Sequence, residues 1–131
     1  MNPALIQGGS HADVRGTLRF CNDFDMSAVK RFYTIANSVE KPVRGWIGHR
    51  KETKWFFPLK GKTEIRVESF NAEEQRSREA EEFVLDANES SVLKVPPGNW
   101  FCIKQGGDAE VMVFSDCKVG EFEGDDFRRL V

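Results

Sequence analysis

The sequence predicts an all-β protein, a single antiparallel β-barrel domain over residues 1–131. Three observations support this fold class. Most of the chain consists of short segments of alternating, β-branched and aromatic residues. Gly, Pro, Asn and Asp interrupt these segments at spacings typical of barrels and sandwiches. Helical periodicity is scarce, and 131 residues leave room for one domain with one core.

Nine segments are predicted as strands because they are rich in β-branched and aromatic residues. They are Thr17–Cys21, Val29–Ala36, Val43–Arg50, Lys54–Leu59, Thr63–Ser69, Glu82–Leu85, Ser91–Val95, Trp100–Lys104 and Ala109–Ser115. The alternation is plainest where Ile65 and Val67 are separated by charged residues, as a half-buried strand requires.

Two short runs predict hairpin-type corners between strands. They are Lys60-Gly61-Lys62 and Pro96-Pro97-Gly98-Asn99, where Pro fixes φ and Gly supplies a positive φ. The polar stretch Asn71–Glu81 predicts a solvated excursion between two strands. The tail Gly120–Val131 mixes acidic and aromatic residues, which predicts packing on the barrel or on a partner subunit.

Composition excludes several function classes. A net charge of −2 and a pI near 5.7 argue against general binding of nucleic acid or an anionic membrane. There is no apolar run of about 20 residues and no signal-peptide pattern at the start, so we expect a cytoplasmic protein. The three cysteines, Cys21, Cys102 and Cys117, are widely spaced and predict reduced thiols.

The segment from Val43 to Phe56 is the densest in residues that carry chemistry. As a strand, its first part has two faces: Val43, Gly45, Ile47 and His49 on one, and Arg44, Trp46, Gly48 and Arg50 on the other. If Ile47 points into the barrel, His49 does so too. An imidazole there is a candidate general acid or base, with Glu52 and Lys54 as orienting or charge-stabilising neighbours. The alternative is a barrel histidine satisfied by a backbone carbonyl. His11 is predicted at the surface.

Several motifs occur in a familiar order between about Asp13 and Phe127. They are Asp13-Val14-Arg15-Gly16, the run Asp25–Ile35, the Arg44-Gly45-Trp46-x-x-His49-Arg50 strand, the Lys60-Gly61 turn and the Val95–Trp100 corner. The ordered set resembles the sugar 3,4-ketoisomerases of the cupin superfamily, and more loosely the dTDP-4-keto-sugar 3,5-epimerases. The resemblance implies a cupin, or jelly-roll, barrel that acts on a dTDP-4-keto-6-deoxyhexose.

Two positions depart from the pattern of these families. Ile47 stands where both families usually carry the first histidine of a His-x-His pair, and Thr53-Lys54 replaces a His-Gln pair of the ketoisomerases. The chain therefore retains only His49 of the usual imidazoles. A metal-dependent cupin oxygenase is excluded, because Ile47 and Phe101 occupy positions where its ligands would stand.

The resemblance implies roles for nine residues. His49 is the base, Tyr33 the proton donor or orienting group, and Glu52 a further catalytic candidate. The substrate-binding candidates are Arg44 and Lys54 for pyrophosphate or enolate, Arg15 and Arg31 for phosphate, and Trp46 and Trp100 for stacking on thymine. Each has a structural alternative: a core aromatic for Tyr33, Trp46 and Trp100, and an exposed side chain for Arg44 and Lys54.

Two functions remain open at the level of the sequence. The first is a nucleotide-sugar 3,4-ketoisomerase or 3,5-epimerase that works by proton abstraction next to the ketone, without cofactor or metal. The second is a non-catalytic cupin that binds a sugar nucleotide, which Ile47 favours. The retained polar set around His49 favours the enzyme. In either case the strand-like N-terminal arm and the aromatic tail predict a homodimer.

Overall fold

The computed structural model describes residues 2–70 and 80–129, which form strands and turns without any helix. In chain order the strands are β1 (Ala4–Ile6), β2 (Gly9–Asp13), β3 (Gly16–Phe20), β4 (Arg31–Ile35), β5 (Val43–His49), β6 (Lys54–Lys60), β7 (Lys62–Ser69), β8 (Glu81–Asp86), β9 (Val92–Val95), β10 (Asn99–Gln105), β11 (Glu110–Ser115) and β12 (Phe127–Arg128). All of their pairings are antiparallel. The predicted all-β class is therefore confirmed.

The strands form two five-stranded sheets and one separate hairpin. The first sheet has the order β1-β9-β6-β11-β4, and the second has the order β12-β5-β10-β7-β8. Among the described residues, strands β2 and β3 pair only with each other. From β4 onward the chain mostly alternates between the two large sheets, which is the path of a jelly-roll barrel.

All nine predicted strands are present, with ends that differ by at most two residues. The sequence did not predict β1, β2 or β12, because three- and two-residue strands and the small, polar Gly9–Asp13 show no alternation. The tail packs on the barrel, since β12 pairs with β5. Residues 71–79 of the predicted excursion lie outside the described residues.

The two predicted corners are not hairpins. Gly61 has φ +61° and Gly98 has φ +86°, as the turn chemistry requires. However, the strands on either side of each corner belong to different sheets, so each turn carries the chain from one sheet to the other. Turn residues specify a reversal of direction, whereas the sheet that a strand joins depends on the core it covers.

An apolar core fills the space between the two sheets. Its most deeply buried members have 0% exposure and come from both sheets: Phe56, Ile65, Leu93, Ile103, Val111 and Val113. The alternation predicted for β7 places Ile65 and Val67 in this core. Burying side chains of this size stabilises the fold by roughly 1.5–3 kcal/mol each.

A second group of apolar residues lies on the outer face of the second sheet. This outer aromatic cluster consists of Trp46, Trp100 and Cys102, with Phe70 and Phe127 packed against them. Phe70 meets Trp100 with ring centroids 5.3 Å apart and Phe127 with centroids 6.1 Å apart. The tail therefore covers one outer face of the barrel.

A β-bulge at Gly45 corrects the predicted faces of β5. Arg44 pairs with Ile103 and Ile47 pairs with Phe101, but the register shifts between them. Gly45 has φ +116°, and a Cβ there would lie 2.8 Å from the Phe101 carbonyl oxygen. The extra residue turns Arg44 toward the same side as Ile47, whereas simple alternation placed it on the opposite face.

The thiol groups are free, as predicted. Cys102 and Cys117 are buried and Cys21 is half-buried, and burial raises the pKa of Cys21 and of Cys102. In residues 2–70 and 80–129 there is no helix long and apolar enough to cross a membrane.

Candidate active site

A cavity of about 570 Å³ opens at one end of the barrel, between the two sheets. Its apolar wall consists of Ile35, Ile47, Phe56, Phe101 and Ile103. Its polar wall consists of Arg31, Tyr33, Arg44, His49, Glu52 and Lys54. The tail between Cys117 and Arg128 forms the rim. A largely apolar hollow with a few converging polar groups is the usual form of a small-molecule site.

Six of the nine residues singled out from the sequence line this cavity, although they come from three strands and a loop. They are the three predicted catalytic residues Tyr33, His49 and Glu52 and the predicted binding residues Arg31, Arg44 and Lys54. The other three, Arg15, Trp46 and Trp100, lie elsewhere. The tertiary structure therefore assembles the polar set but leaves out the two indoles and the N-terminal arginine.

His49 is held in one orientation by the tail. Its Nδ1 lies 3.0 Å from the backbone carbonyl oxygen of Asp125. Because a carbonyl only accepts hydrogen bonds, Nδ1 carries the proton of the neutral ring and Nε2 carries the lone pair. Nε2 is buried and has no hydrogen-bond partner among the described residues. The carbonyl contact that we considered as a structural alternative thus satisfies only one of the two ring nitrogens.

The surroundings of His49 keep the ring neutral. The side chain is 6% exposed, and burial is the main cause that lowers its pKa. The Lys54 ammonium lowers the pKa further, while Glu52 and Asp125 act in the opposite direction. A neutral imidazole with a free Nε2 has the protonation state that a general base needs.

Glu52 is the centre of a buried polar network. Its Oε2 accepts a hydrogen bond from the Ser115 hydroxyl at 2.5 Å and lies 3.5 Å from an Arg31 guanidinium nitrogen. The same oxygen lies 3.7 Å from Lys54 Nζ, and Oε1 lies 3.6 Å from His49 Nδ1. Two cations thus compensate one buried carboxylate, which is 7% exposed.

Lys54 connects this network to Tyr33. Its Nζ donates to the Tyr33 hydroxyl oxygen at 2.5 Å, and the whole Lys54 residue is only 8% exposed. The predicted alternative of an exposed lysine is therefore excluded. With its oxygen occupied as an acceptor, Tyr33 retains one donor, the phenolic hydrogen. Tyr33 belongs to the first sheet and His49 to the second, so the two side chains approach the cavity from opposite walls.

Arg31 and Arg44 differ in how firmly they are held. Arg31 donates from Nε to the Cys117 carbonyl at 2.8 Å, and its guanidinium lies 5.1 Å from the Tyr33 ring centre. Arg44 is exposed at the mouth of the cavity. Arg31 is thus a fixed charge inside the site, and Arg44 is available to an anion at the entrance.

Asp125 is the site residue that sequence reasoning missed. Its carboxylate accepts hydrogen bonds from the backbone N–H groups of Arg50, Lys51 and Glu52, at distances between 2.7 and 3.1 Å. It therefore fixes the loop that carries Glu52, while its carbonyl fixes His49. The composition of the tail, acidic and aromatic, was the signal that could have pointed to Asp125. Its contact with His49 was not predictable, because the two residues are 76 positions apart and no local pattern links them.

His49, Glu52 and Asp125 also offer ligand atoms that lie within 4.8 Å of one another. Their surroundings do not suit a metal ion. The Asp125 oxygens are occupied by three backbone N–H groups, and Glu52 accepts from Ser115. The Lys54 ammonium, 3.7 Å from Glu52, would repel a cation. Independence of metal remains a prediction.

Trp46 and Trp100 belong to the outer aromatic cluster and do not line the cavity. They are 5% and 4% exposed, so a thymine base inside the cavity would not reach either ring. Alternation along β5 already places Trp46 on the face opposite to His49, because the register shifts only N-terminal to Ile47. Both indoles are buried structural aromatics, in the outer cluster and not in the core between the sheets.

Arg15 lies at the exposed turn of the β2–β3 hairpin, outside the cavity. It pairs with Asp13 at 2.6 Å and places no charge inside the barrel. The Arg15 guanidinium lowers the pKa of Asp13. His11 on the same hairpin is exposed, as predicted.

Fold and cavity together define a small cupin-type barrel with a polar site at one end. The chain belongs to the family described as FdtA, WxcM-like, C-terminal, whose profile matches residues 1–129. The resemblance recognised in the sequence is thereby confirmed. No curated protein matches the chain.

Solved structures of three sugar-modifying enzymes share the fold. One is a mutant of the 3,4-ketoisomerase QdtA from Thermoanaerobacterium thermosaccharolyticum in complex with TDP-4-keto-6-deoxyglucose. It is 24% identical to this chain with a TM-score of 0.76, and the match covers 98% of this chain and 88% of the QdtA chain. The WlaRB TDP-quinovose 3,4-ketoisomerase from Campylobacter jejuni is 18% identical, with a TM-score of 0.71 and coverage of 98% and 93%. The rmlC epimerase from Mycobacterium tuberculosis is 16% identical, with a TM-score of 0.77 and coverage of 96% and 68%.

Proposed function

We propose that this protein is a nucleotide-sugar isomerase or epimerase that removes a proton next to the ketone of a dTDP-4-keto-6-deoxyhexose. The observation that carries the proposal is the state of His49. Its Nδ1 proton is engaged by a carbonyl, and its Nε2 is buried without a hydrogen-bond partner among the described residues, in a side chain that lines the cavity with Tyr33 and Lys54. The family and the sugar-nucleotide complex of a fold relative support the substrate class.

The first step is removal of the C3 proton of the sugar. The neighbouring C4 carbonyl acidifies this proton, and His49 Nε2 takes it while the C3–H electron pair becomes the C3–C4 double bond of an enolate. The negative charge develops on the C4 oxygen. Lys54 and Arg31 are the cations fixed inside the cavity, and a buried cation stabilises such an oxyanion more strongly than water does.

The second step returns a proton and determines the product. If the C3 hydroxyl passes its proton to the C4 oxygen and C4 then receives a proton, the ketone moves to C3 and the reaction is a 3,4-ketoisomerisation. If C3 receives the proton on the opposite face, the reaction is an epimerisation. Tyr33 is the proposed donor, because its phenolic hydrogen remains available after Lys54 has bound the oxygen. Before the next turnover, His49 must release the proton that it took and Tyr33 must regain one, and both transfers can occur through solvent.

The diphosphate is proposed to bind at the rim. Arg44 and Lys118 are exposed there and line the cavity, and Arg128 pairs with Asp126 at 2.7 Å nearby. Arginine and lysine at an open mouth are suited to a doubly charged diphosphate. This arrangement leaves the apolar wall around Ile47 for the sugar ring.

The test is to incubate the protein with a dTDP-4-keto-6-deoxyhexose in D₂O and to follow deuterium at C3 and C4 by NMR. The wild type is expected to incorporate deuterium at C3 and to form product. In Tyr33→Phe, exchange at C3 should persist while product formation falls, because the base remains and the donor is lost. Binding without any exchange in the wild type would reject the enzymatic proposal.

A second candidate, a non-catalytic binding protein, is favoured by one observation. Ile47 is 7% exposed and presents a hydrocarbon surface where the resemblance implies an imidazole. Ile47→His separates the two functions, since it adds a second imidazole to the face that carries His49. If the wild type binds the nucleotide sugar without exchange and Ile47→His adds none, the binding protein is the better description.

We further propose that the protein is a cytoplasmic homodimer that uses the outer face of the first sheet. Phe32 on the edge strand β4 is 67% exposed and pairs in register with the half-buried Phe114. An exposed phenylalanine on an edge strand offers apolar surface and unpaired backbone groups to which a second copy of the chain can bind. Light scattering should give twice the chain mass of 14.9 kDa, and Phe32→Glu should give the monomer.

A further inference from the structure

The tail segment 125–129 reaches both faces of the second sheet. At its start, Asp125 contacts His49 and the loop before β6 on the cavity side. At its end, Arg129 lies in the outer aromatic cluster and does not line the cavity. Between them, Phe127 and Arg128 pair with Gly48 and Ile47 as strand β12.

We propose that Arg129 is a positioning residue, which holds His49 in its reactive orientation by anchoring the tail from the opposite face of the sheet. The inference rests on the proposed function, because it assigns to Arg129 a part in the same proton transfer. It requires three things: a firm anchor at Arg129, a rigid connection to Asp125, and a His49 orientation that depends on Asp125.

The anchor consists of stacking, an ion pair and backbone hydrogen bonds. The Arg129 guanidinium carbon lies 4.6 Å from the ring centre of Trp46 and 4.8 Å from that of Trp100. Its Nη2 binds Glu68 Oε2 at 2.8 Å, and the Glu68 side chain is 0% exposed. The backbone of Arg129 exchanges two hydrogen bonds with Trp46, at 3.1 and 3.2 Å. A guanidinium suits this place because it is planar and stacks while it pairs.

The connection is short and paired along its length. Arg129 follows Asp125 by four residues, and strand β12 between them is bonded to β5, the strand that carries His49. Strand β12 has only two residues, so its pairing alone is a weak attachment. The contacts of Arg129 on one side and of Asp125 on the other therefore add to the packing of Phe127 in holding the tail.

The orientation of His49 depends on this tail because the Asp125 carbonyl is the only hydrogen-bond acceptor within 3.5 Å that the described residues offer to Nδ1. The Asp125 carboxylate in turn binds the N–H groups of Arg50, Lys51 and Glu52. Loss of the Arg129 side chain removes the stacking and the ion pair and, among the described residues, leaves only the two backbone hydrogen bonds with Trp46 at this end of the segment. The predicted consequence is a His49 ring that rotates and a loop that loses protection from solvent exchange.

The experiment compares Arg129→Ala with Arg66→Ala by NMR and by turnover. Arg66 lies on the same outer face and pairs with Glu82 at 3.3 Å, so its removal also deletes an arginine and an ion pair. In the wild type, the His49 Nδ1–H and the amides of residues 50–52 should exchange slowly with solvent. Arg129→Ala should accelerate both by at least about tenfold and lower kcat for C3 exchange by about 10- to 100-fold, a fraction of a general base's usual 10²- to 10⁴-fold contribution.

KM should change little in Arg129→Ala, because Arg129 does not face the ligand, and Arg66→Ala should match the wild type in every readout. Arg129→Lys keeps the charge next to Glu68 but not the planar stack. It serves as the test variant if Arg129→Ala fails to fold, and its exchange rates and kcat should shift from the wild type in the same direction by a smaller factor. Unchanged exchange of the His49 Nδ1–H and unchanged kcat in a folded Arg129 variant would overturn the inference. If the wild type has no turnover but Arg129→Ala still releases the His49 proton, the anchor stands and the proposed function fails.

Discussion

The two faces of the second sheet differ in chemistry although the same strands build both. On the cavity face, β5 presents Ile47 and His49 beside a network of buried charges. On the outer face, the same strand presents Trp46 to an aromatic cluster that the tail covers. A cavity lined by a histidine therefore lies on the other side of a single sheet from a cluster that stabilises the fold.

The contrast teaches that burial alone does not identify a functional residue. Trp46, Trp100 and His49 are all less than a tenth exposed. What distinguishes His49 is that it lines a cavity large enough for a ligand, since the buried Trp100 Nε1 also has no hydrogen-bond partner among the described residues. Substitutions on the cavity face should therefore change chemistry, and substitutions on the outer face should change stability.

The largest effect is expected for His49→Asn on the cavity face. Because it removes the proposed base and keeps a polar side chain of similar width, C3 exchange should fall by about 10²- to 10⁴-fold. The matched control is His11→Asn, which removes the exposed imidazole of the hairpin and should leave exchange unchanged. Deuterium incorporation measures both. A loss of less than tenfold in His49→Asn would remove His49 from the role of base.

On the outer face, Trp100→Ala should lower the free energy of unfolding by about 3–5 kcal/mol, since it empties the centre of a packed cluster. The dTDP affinity of the folded fraction should stay unchanged, because the indole does not line the cavity. Urea unfolding and calorimetric titration measure the two quantities. A dTDP affinity that falls while stability holds would restore the stacking role that the sequence suggested.

Gly45→Ala tests the bulge that separates the two faces. The added Cβ meets the Phe101 carbonyl at 2.8 Å in a backbone with φ +116°, so we expect about 1–3 kcal/mol of destabilisation. Gly106→Ala, where a Cβ meets no atom within 4 Å, is the matched control and should be nearly neutral. Equal melting temperatures for the two variants would show that β5 does not require this bulge.

The smallest effect is a dependence of stability on pH that arises from His49. Burial, and then the Lys54 ammonium, lowers its pKa below the ordinary value of about 6.5. In the window below that value the unfolded chain binds a proton that the folded chain does not, so stability falls as the pH decreases. Melting curves between about pH 7.5 and pH 5 should show a steeper loss for the wild type than for His49→Asn. Parallel curves would contradict this origin.

Much of the fold was predictable because local patterns determine it. Alternation placed Ile65 and Val67 in the core, and glycine with proline marked the two corners. The candidate site was predictable in part, because the resemblance named six residues that do line one cavity. The alternation of β5 failed at Gly45, where one extra residue reverses the faces and sends Arg44 into the site.

The sequence by itself determined the strand content, the family and the retention of a single cavity imidazole, because these depend on residue type and near-neighbour spacing. Only the tertiary structure decided which sheet each corner joins, that Trp46 and Trp100 lie outside the cavity, and that Asp125 holds His49. The physical reason is distance along the chain. A hydrogen bond between residues 76 positions apart depends on how the whole barrel closes, and no local pattern encodes it.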